Sequence, residues 1–356
     1  MINDKDLSTE VTDEDIADGI EDKSGEIYSR DGSRLLKGSI LLSYQIRIRI
    51  GTKVICENAF MGCCYLVSIY IPETITCIGK RAFYHCDSLA SIQVNGKNKA
   101  FDSRDNCNAI IHTATNTLIV GCNNTIIPSS ITHIGDSAFS GCRTRTSFDI
   151  PNSVTTIGNS AFLGCTGLTS INIPNSVTTI GNYAFSGCTG LTSINIPNSV
   201  TRIGDNAFSE CRGLTSVTIG NSVTTLGNYA FLGCTGLTSV TIPNSIITIG
   251  RYAFSYCNSL TNITIPNSVT TICDSAFREC HGLTSVTIPD SVTNIGYAAF
   301  RDCNGLTSVI IRNSFTQIVP SAFIGCRKLK EIIIPAGSLS RFQEILITVR
   351  EKLKEL

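Results

Sequence analysis

The residues of this sequence that could do chemistry are its 17 cysteines and four histidines. Cysteines can pair as disulfides, bind zinc or act as redox couples, and histidines can bind metals or move protons. Zinc sites and redox couples are commonly built on C-x-x-C, which occurs nowhere in the chain. Eleven cysteines instead share one position, three residues after a phenylalanine: Cys63, Cys86, Cys142, Cys165, Cys188, Cys211, Cys234, Cys257, Cys280, Cys303 and Cys326.

This regular spacing predicts a column of buried thiols. Free cysteine is among the most buried residue types. Neighbouring strands lie about 4.8 Å apart, a distance that permits a disulfide. A disulfide also requires suitable Cβ directions, which parallel side chains in a column do not provide. We therefore predict that these cysteines pack as small apolar side chains.

The histidines and the remaining motifs do not assemble a reaction centre. His85, His112, His133 and His281 are scattered, without cysteines or carboxylates at ligand spacing. The sequence contains no G-x-S-x-G, no P-loop and no G-x-G-x-x-G. We predict no catalytic residue, no metal site and no cofactor, and hence a protein that is not an enzyme.

The spacing of the phenylalanines predicts the fold. They stand at Phe60, Phe83, Phe139, Phe162, Phe185, Phe208, Phe231, Phe254, Phe277, Phe300 and Phe323. Every step is 23 residues except the step of 56 from Phe83 to Phe139. A fixed period in the twenties is typical of leucine-rich-repeat solenoids. We predict a repeat solenoid that is mainly β, with short helical or 3-10 turns, as a right-handed stack of coils.

Three segments are predicted in order along the chain. Residues 1–25 are rich in acidic residues and are expected to form a flexible or weakly helical leader. Residues 26–337 form the solenoid, which begins with a β-hairpin cap and carries a second hairpin as an insertion at about 95–127. Residues 338–356 have apolar residues at three- and four-residue spacing, which predicts an amphipathic helix that caps the stack, with a coiled-coil dimer as the alternative.

Departures from the repeat predict where the coils are irregular. Arg145 stands in a leucine position, Arg312 in a proline position and Val319 in the position of the corner glycine. The last two fall in one coil, so we expect a local bend at 312–320.

Bulk composition excludes several classes of partner. The 28 basic and 28 acidic residues give a net charge of zero, so the electrostatic signature of nucleic-acid binding is missing. The sequence has no run of 18 apolar residues, so we predict no membrane span. Residues 1–25 lack the apolar stretch of a signal peptide, so a cytoplasmic location stays open.

The repeat resembles a known family. The unit Leu-Thr-Ser-Val-Thr-Ile-Pro-Asn-Ser-Val-Thr-Thr-Ile-Gly-x-x-Ala-Phe-x-x-Cys is similar to that of the BspA-like leucine-rich-repeat proteins of bacteria. The resemblance implies a surface or secreted adhesin-like module that binds host extracellular-matrix or cell-surface proteins. An intracellular structural or assembly scaffold is the alternative.

Polar residues on the predicted strands form the candidate binding surface. Hydroxyl residues suit an exposed sheet for structural reasons alone, and a regular array of them could also order water. A protein partner is the functional interpretation, and we expect a monomer that binds it through a concave sheet and the inserted hairpin. The candidate residues are Ser103, Arg104, Asp105, Asn106, Ser170, Asn172, Ser193, Asn195, Ser216, Thr218, Ser239 and Thr241.

Overall fold

A computed structural model of the chain describes residues 8–39 and 44–356. It divides into two compact units, Met1–Gly167 and Leu168–Leu356. Each unit is built from 23-residue coils, which we name after the repeating phenylalanine that each contains.

The described residues of the first unit form one short helix, one 3-10 turn and fourteen strands. Helix α1 is Asp13–Asp18, and the 3-10 turn is Arg104–Asn106. The strands are β1 (Ile20–Glu21), β2 (Ile27–Tyr28), β3 (Arg34–Lys37), β4 (Gln45–Arg47), β5 (Val54–Ile55), β6 (Ser68–Ile71), β7 (Cys77–Ile78), β8 (Ser91–Val94), β9 (Phe101–Asp102), β10 (Ala109–His112), β11 (Thr117–Gly121), β12 (His133–Ile134), β13 (Ser147–Asp149) and β14 (Thr156–Ile157).

The second unit contains the remaining strands and a C-terminal helix. Helix α2 is Leu339–Ile345, followed by the 3-10 helix Ile347–Lys352. The strands are β15 (Ser170–Asn172), β16 (Thr179–Ile180), β17 (Ser193–Ile196), β18 (Arg202–Ile203), β19 (Ser216–Ile219), β20 (Thr225–Leu226), β21 (Ser239–Thr241), β22 (Thr248–Ile249), β23 (Thr271–Ile272), β24 (Ser285–Ile288), β25 (Asn294–Ile295), β26 (Ser308–Ile311), β27 (Gln317–Ile318), β28 (Glu331–Ile334) and β29 (Leu353–Glu355).

Each regular coil contributes a first strand and a shorter second strand. Equivalent strands pair in parallel with a register of 23 residues, as in β17–β19–β21. The chain turns a corner after the second strand, where coils approach closely: a β-carbon at Gly204 would lie 2.5 Å from the Asn182 amide nitrogen. Glycine is used here because any larger residue would push the coils apart.

Phenylalanine rings fill the interior of both units. In the first unit, Phe60 stacks on Phe83 and Phe139 on Phe162, with ring centroids 5.1 and 5.3 Å apart. In the second unit, each ring from Phe185 to Phe323 stacks on the next at 5.2–5.5 Å, within 10° of parallel. Offset stacks at such distances are favourable aromatic contacts. The predicted β-solenoid is therefore confirmed.

The acidic N-terminal segment contains a short helix and a strand. From residue 8 onward it forms α1 and β1, and β1 pairs with β2. Thr12 and Asp15 close a capping box at the start of the helix, and Arg34 reaches Asp15 at 3.0 Å. Composition predicted a flexible or weakly helical leader because acidic residues bury little apolar surface. The capping box and the buried Arg34 stabilise the short helix, and composition did not predict the strand.

The insertion repeats the architecture of the N-terminal cap. Strands β1, β2 and β3 form an antiparallel meander, and β3 then pairs in parallel with β5. Strands β9, β10 and β11 do the same, and β11 pairs in parallel with β12. Both meanders lead to a glycine whose amide donates to an alanine carbonyl: Gly38 to Ala59 and Gly121 to Ala138, at 2.6 and 2.7 Å. The insertion is thus a second cap placed within the chain.

The C-terminal helix is shorter than the apolar spacing predicted. Helix α2 ends at Ile345, and the chain continues as a 3-10 helix and then as β29, which pairs with β28. The β-branched run Ile347–Val349 disfavours an α-helix because its side chains crowd the preceding turn. Phe342 and Leu346 are nevertheless fully buried, so this segment packs against the neighbouring structure.

One coil departs from the repeat where we expected a bend. Phe315 stands in a valine position that is buried in the regular coils, yet its side chain is 79% exposed. Thr316 takes the inner place, with no exposed surface, and its hydroxyl donates to the Val292 and Asn313 carbonyls. Arg341 holds the displaced loop through the Phe315 and Thr316 carbonyls.

The junction between the second cap and the Phe139 coil generates a prediction. A β-carbon at Gly121 would lie 2.1 Å from Cε1 of the Phe139 ring. We expect Gly121→Ala to lower the free energy of unfolding by about 1–3 kcal/mol, the usual cost of overpacking a core. Urea denaturation followed by circular dichroism measures this change.

The matched control is Gly96→Ala, because a β-carbon at Gly96 meets no atom within 4 Å. That variant should unfold within about 0.5 kcal/mol of the parent chain, as surface changes usually do. Equal stability of the two variants would contradict the packing of Gly121 on the Phe139 ring.

Candidate functional site

The cysteine column is buried and reduced, as the spacing indicated. All 17 cysteines are free thiols in the described part of the chain, and Cys188 and Cys257 have no exposed surface. Where a phenylalanine of the same unit stands 26 residues earlier, the thiol donates to its carbonyl, as from Cys211 to Phe185 at 3.1 Å. Burial raises the pKa of Cys211 and Cys280 to about 12. These thiols therefore stay protonated and serve packing.

The four histidines remain separate from one another. His112 contacts the Thr115 hydroxyl at 2.8 Å, and His281 contacts the Asp302 carbonyl at 3.0 Å. His85 lies 3.7 Å from Asp87, too far for a hydrogen bond. Among residues 8–39 and 44–356, no cluster of His, Cys, Asp and Glu is arranged to hold a metal ion.

The polar candidates of the second unit lie together on the first strands of successive coils. Strand pairing places Ser193, Ser216 and Ser239 in one row. A second row, two residues further along, contains Asn195, Thr218 and Thr241. All six are exposed, and the residues that alternate with them are buried. Ser170 and Asn172 are also exposed, but they lie on β15, outside this three-stranded sheet.

The hydroxyls beside these rows differ in whether the fold already uses them. The threonine one residue before each serine donates to the backbone of the preceding coil, as from Thr215 to Thr192 and from Thr238 to Thr215, both at 3.0 Å. No such bond to any described residue occupies the hydroxyls of Ser216, Ser239 or Thr218. The two outer rows therefore present unused donors and acceptors to a partner.

The segment Ser103–Asn106 is only partly available. It forms the turn between β9 and β10, whereas the tip of the hairpin lies between β10 and β11. The Ser103 hydroxyl donates to the Ala109 carbonyl at 2.5 Å, and Arg104 is held by Asp102 and Asn116 at 2.7 and 2.8 Å. Asp105 and Asn106 are exposed. Two of these four candidates thus stabilise the insertion.

Sequence reasoning missed a column of Asp and Asn side chains that follows the corner position of the repeat. Each accepts the amide of the residue 23 positions later at 2.7–2.9 Å. The signal was present, because Asp or Asn recurs directly after the corner position, which is a glycine in four of these coils and Cys273 in the fifth. The members are Asp136, Asn182, Asp205, Asn228 and Asp274. They lock the register of the coils and are not free to bind a ligand through the same oxygen.

The parallel coils, the stacked rings and the polar outer rows define a leucine-rich-repeat type of solenoid. Residues 41–120, 119–238 and 224–348 match the model of the BspA type leucine rich repeat region. The chain belongs to this family, as the repeat unit indicated.

Solved structures of bacterial proteins share the fold over most of their length. A leucine rich cell surface protein from Faecalibacterium prausnitzii is 28% identical, with 92% of this chain and 97% of that one covered and a TM-score of 0.54. A leucine-rich repeat protein from Bacteroides ovatus is 26% identical, with coverage of 95% and 97% and a TM-score of 0.50. The pneumococcal vaccine antigen PcpA, at 16% identity, 95% and 96% coverage and a TM-score of 0.53, shares the fold alone. No curated protein sequence matches the chain.

A helix needs about 20 apolar residues to cross a bilayer. In the part of the chain that the structure describes, no helix has that combination of length and apolarity.

The buried thiols predict loss of stability at alkaline pH. A group with a raised pKa in the folded state stabilises that state below its unfolded pKa, and the contribution disappears as pH rises through the folded value. For Cys211 and Cys280 this window runs from the ordinary value of 9.0 to about 12. Each such thiol should remove about 1.4 kcal/mol of stability by pH 10. We expect the urea midpoint to fall steeply above pH 9.

Alkylation supplies an internal control at pH 8. Iodoacetamide should modify the exposed Cys64 quickly and the buried cysteines only after unfolding, which peptide mass spectrometry distinguishes. Modification of Cys211 at the rate of Cys64 in the folded protein would show that the column is not buried.

Proposed function

We propose that the chain is a non-enzymatic protein-binding module, adhesin-like, whose partners are host extracellular-matrix or cell-surface proteins. The observation that carries the proposal is the pair of exposed rows on β17, β19 and β21. Their hydroxyl and amide groups lie in register, and the fold does not use those of Ser216, Ser239 and Thr218. Such rows suit recognition of a protein surface, which is polar and irregular.

Location at the bacterial cell surface is part of the proposal. It is supported by the Faecalibacterium prausnitzii relative, which is described as a leucine rich cell surface protein. The uncharged, hydroxyl-rich rows also fit a partner that is not recognised through a strong field of one sign. Fractionation of the native cells with an antibody to the chain tests this location, and recovery solely from the cytosol would contradict it.

The proposed absence of enzymatic activity has a physical basis. A catalytic site requires unlike groups that converge in a pocket, with at least one activated nucleophile, acid or base. A repeating solenoid presents columns of like groups, and most of the cysteines in the repeat column, such as Cys211 and Cys280, are buried with a raised pKa.

Binding to purified matrix proteins tests the proposed surface. The probes are fibronectin, laminin and collagen, immobilised separately, with the full chain in solution. Ser216→Arg places a long charged side chain in the middle of the row and should weaken the observed binding at least tenfold. Thr224→Arg is the matched control: it is equally exposed in the same coil but lies next to the second strand, and its affinity should be unchanged.

Deletion of residues 95–127 would remove the second cap together with Asp105 and Asn106, so it would confound folding with binding. The double variant Asp105→Ala/Asn106→Ala is the sharper test of that segment, because both side chains are exposed. No binding of the parent chain to any of the three probes, or equal binding by Ser216→Arg, would contradict the proposal.

A further inference from the structure

A cleft of about 600 Å³ opens in the first unit where the second cap interrupts the coils. One wall is the corner of the Phe83 coil, with Lys80, Arg81 and Tyr84. The other wall includes Ile119 of the cap and Asp136 of the Phe139 coil. The cap reaches Gly121 as strand β11, so it supplies the amide that donates to the Ala138 carbonyl but no turn before it. One layer of backbone is therefore missing at this position.

The missing layer leaves a row of backbone donors without acceptors. In a regular coil, three alternate amides of the corner donate to carbonyls of the next coil. In the Phe60 coil these bonds run from Asn58 to Lys80, from Phe60 to Ala82 and from Gly62 to Tyr84, at 3.1, 2.7 and 2.8 Å. The equivalent amides of the Phe83 coil belong to Arg81, Phe83 and His85. They donate to no acceptor in the described parts of the chain. Arg81 and Phe83 line the cleft, whereas His85 packs against Gly141 of the Phe139 coil.

Acceptors at the same cleft are also open. The Ile55 carbonyl accepts the Gly79 amide at 2.8 Å, but the equivalent Ile78 carbonyl accepts nothing from the described residues. On the opposite wall the same holds for the Asp136 carbonyl, although its counterpart Asn159 accepts the Ser137 amide at 2.8 Å. Unpaired backbone groups at a partly buried surface are costly, so a ligand that pairs them gains affinity.

The chemistry of the row identifies what would fill it. The Ile78 carbonyl and the Asp136 side chain face the cleft and would repel an anion. In the other coils, the equivalent amides donate to alternate backbone carbonyls of the next corner, which is a curved stretch of polypeptide. The matching occupant is therefore a polypeptide turn that offers carbonyls on one side and amides on the other.

We propose that the cleft binds a loop of a partner protein, which enters as the missing corner layer. Alternate carbonyls of the loop accept from Arg81 and Phe83, and its amides donate to the Ile78 and Asp136 carbonyls. Its central side chain packs against Phe83, Ile119 and Val120, so it is small and apolar. The cleft shares no residue with the exposed rows, and this inference does not depend on binding by them.

A library of disulfide-closed random heptapeptides displayed on phage, selected on the full chain, is the probe. Selected peptides are then synthesised, and their affinity is measured by fluorescence anisotropy. Ser137→Tyr fills the cleft and should weaken binding at least tenfold. The backbone tolerates tyrosine at this position of the coil, since Tyr183, Tyr229 and Tyr252 occupy it with the same positive φ, 53–58°.

Asn206→Tyr is the matched control, because Asn206 occupies the same position with φ of 56° between Tyr183 and Tyr229. Its affinity for the peptides should equal that of the parent, as should the affinity of Ser216→Arg. Amide exchange by NMR adds an independent readout: the Phe83 amide should exchange faster than that of Phe60 in the free protein and slow down on binding. The proposal would be overturned if the selected peptides bind Ser137→Tyr as tightly as the parent, or if the selection yields no peptide that is sensitive to this substitution. It would also be overturned if the Phe83 amide of the free protein is as protected from exchange as the Phe60 amide.

Discussion

The stacking of one phenylalanine ring on the next is the interaction on which the structure depends. Rings 23 residues apart lie about one strand spacing from each other, so the repeat in sequence becomes a repeat in space. Once the rings are in place, every other group at a fixed position meets its own counterpart. Cysteine thiols donate to phenylalanine carbonyls, corner Asp and Asn side chains accept from backbone amides, and threonine hydroxyls donate to backbone carbonyls. Each contact contributes little free energy, but the fixed register repeats it in successive coils, so the contributions add up.

This constraint also decides where chemistry can occur. A column of like groups does not by itself bring an acid, a base and a nucleophile together, and the interior removes most cysteines of the repeat column from solvent. What remains are the outer rows and the places where the repeat breaks. The largest break is the 56-residue step, where a second cap begins before the corner of the preceding coil has been covered. Binding is thus expected on the regular surface or at this irregularity.

Much of the fold could be predicted from the sequence because the 23-residue period and the residue type at each repeat position determine it. The 23-residue step indicated parallel strands, the ring column and the buried thiols. The segments outside the repeat were harder. The acidic N-terminal segment is ordered by a capping box and by Arg34, contacts between residues far apart in sequence. The C-terminal helix ends early because three consecutive β-branched residues outweigh an apolar spacing that would also suit a helix.

The candidate surface was predictable as a set of exposed columns, but the use of each hydroxyl was not. Whether a threonine hydroxyl points at a carbonyl of the preceding coil or at solvent depends on the position of the residue in the strand. The repeat period alone does not predict this. The open amides at Arg81 and Phe83 had no signal in residue type. They follow from the geometry of the inserted cap, which pairs as a strand on one side and leaves the corner uncovered.

The most direct measurement of the central claim compares two phenylalanines of the second unit by equilibrium denaturation. Phe254 has no exposed surface and stacks on rings above and below it, whereas Phe315 is 79% exposed. Phe254→Ala should lower the free energy of unfolding by about 3–5 kcal/mol. Phe315→Ala should change it by less than about 0.5 kcal/mol. Similar losses for the two variants, or a small loss for Phe254→Ala, would contradict a core built on stacked rings.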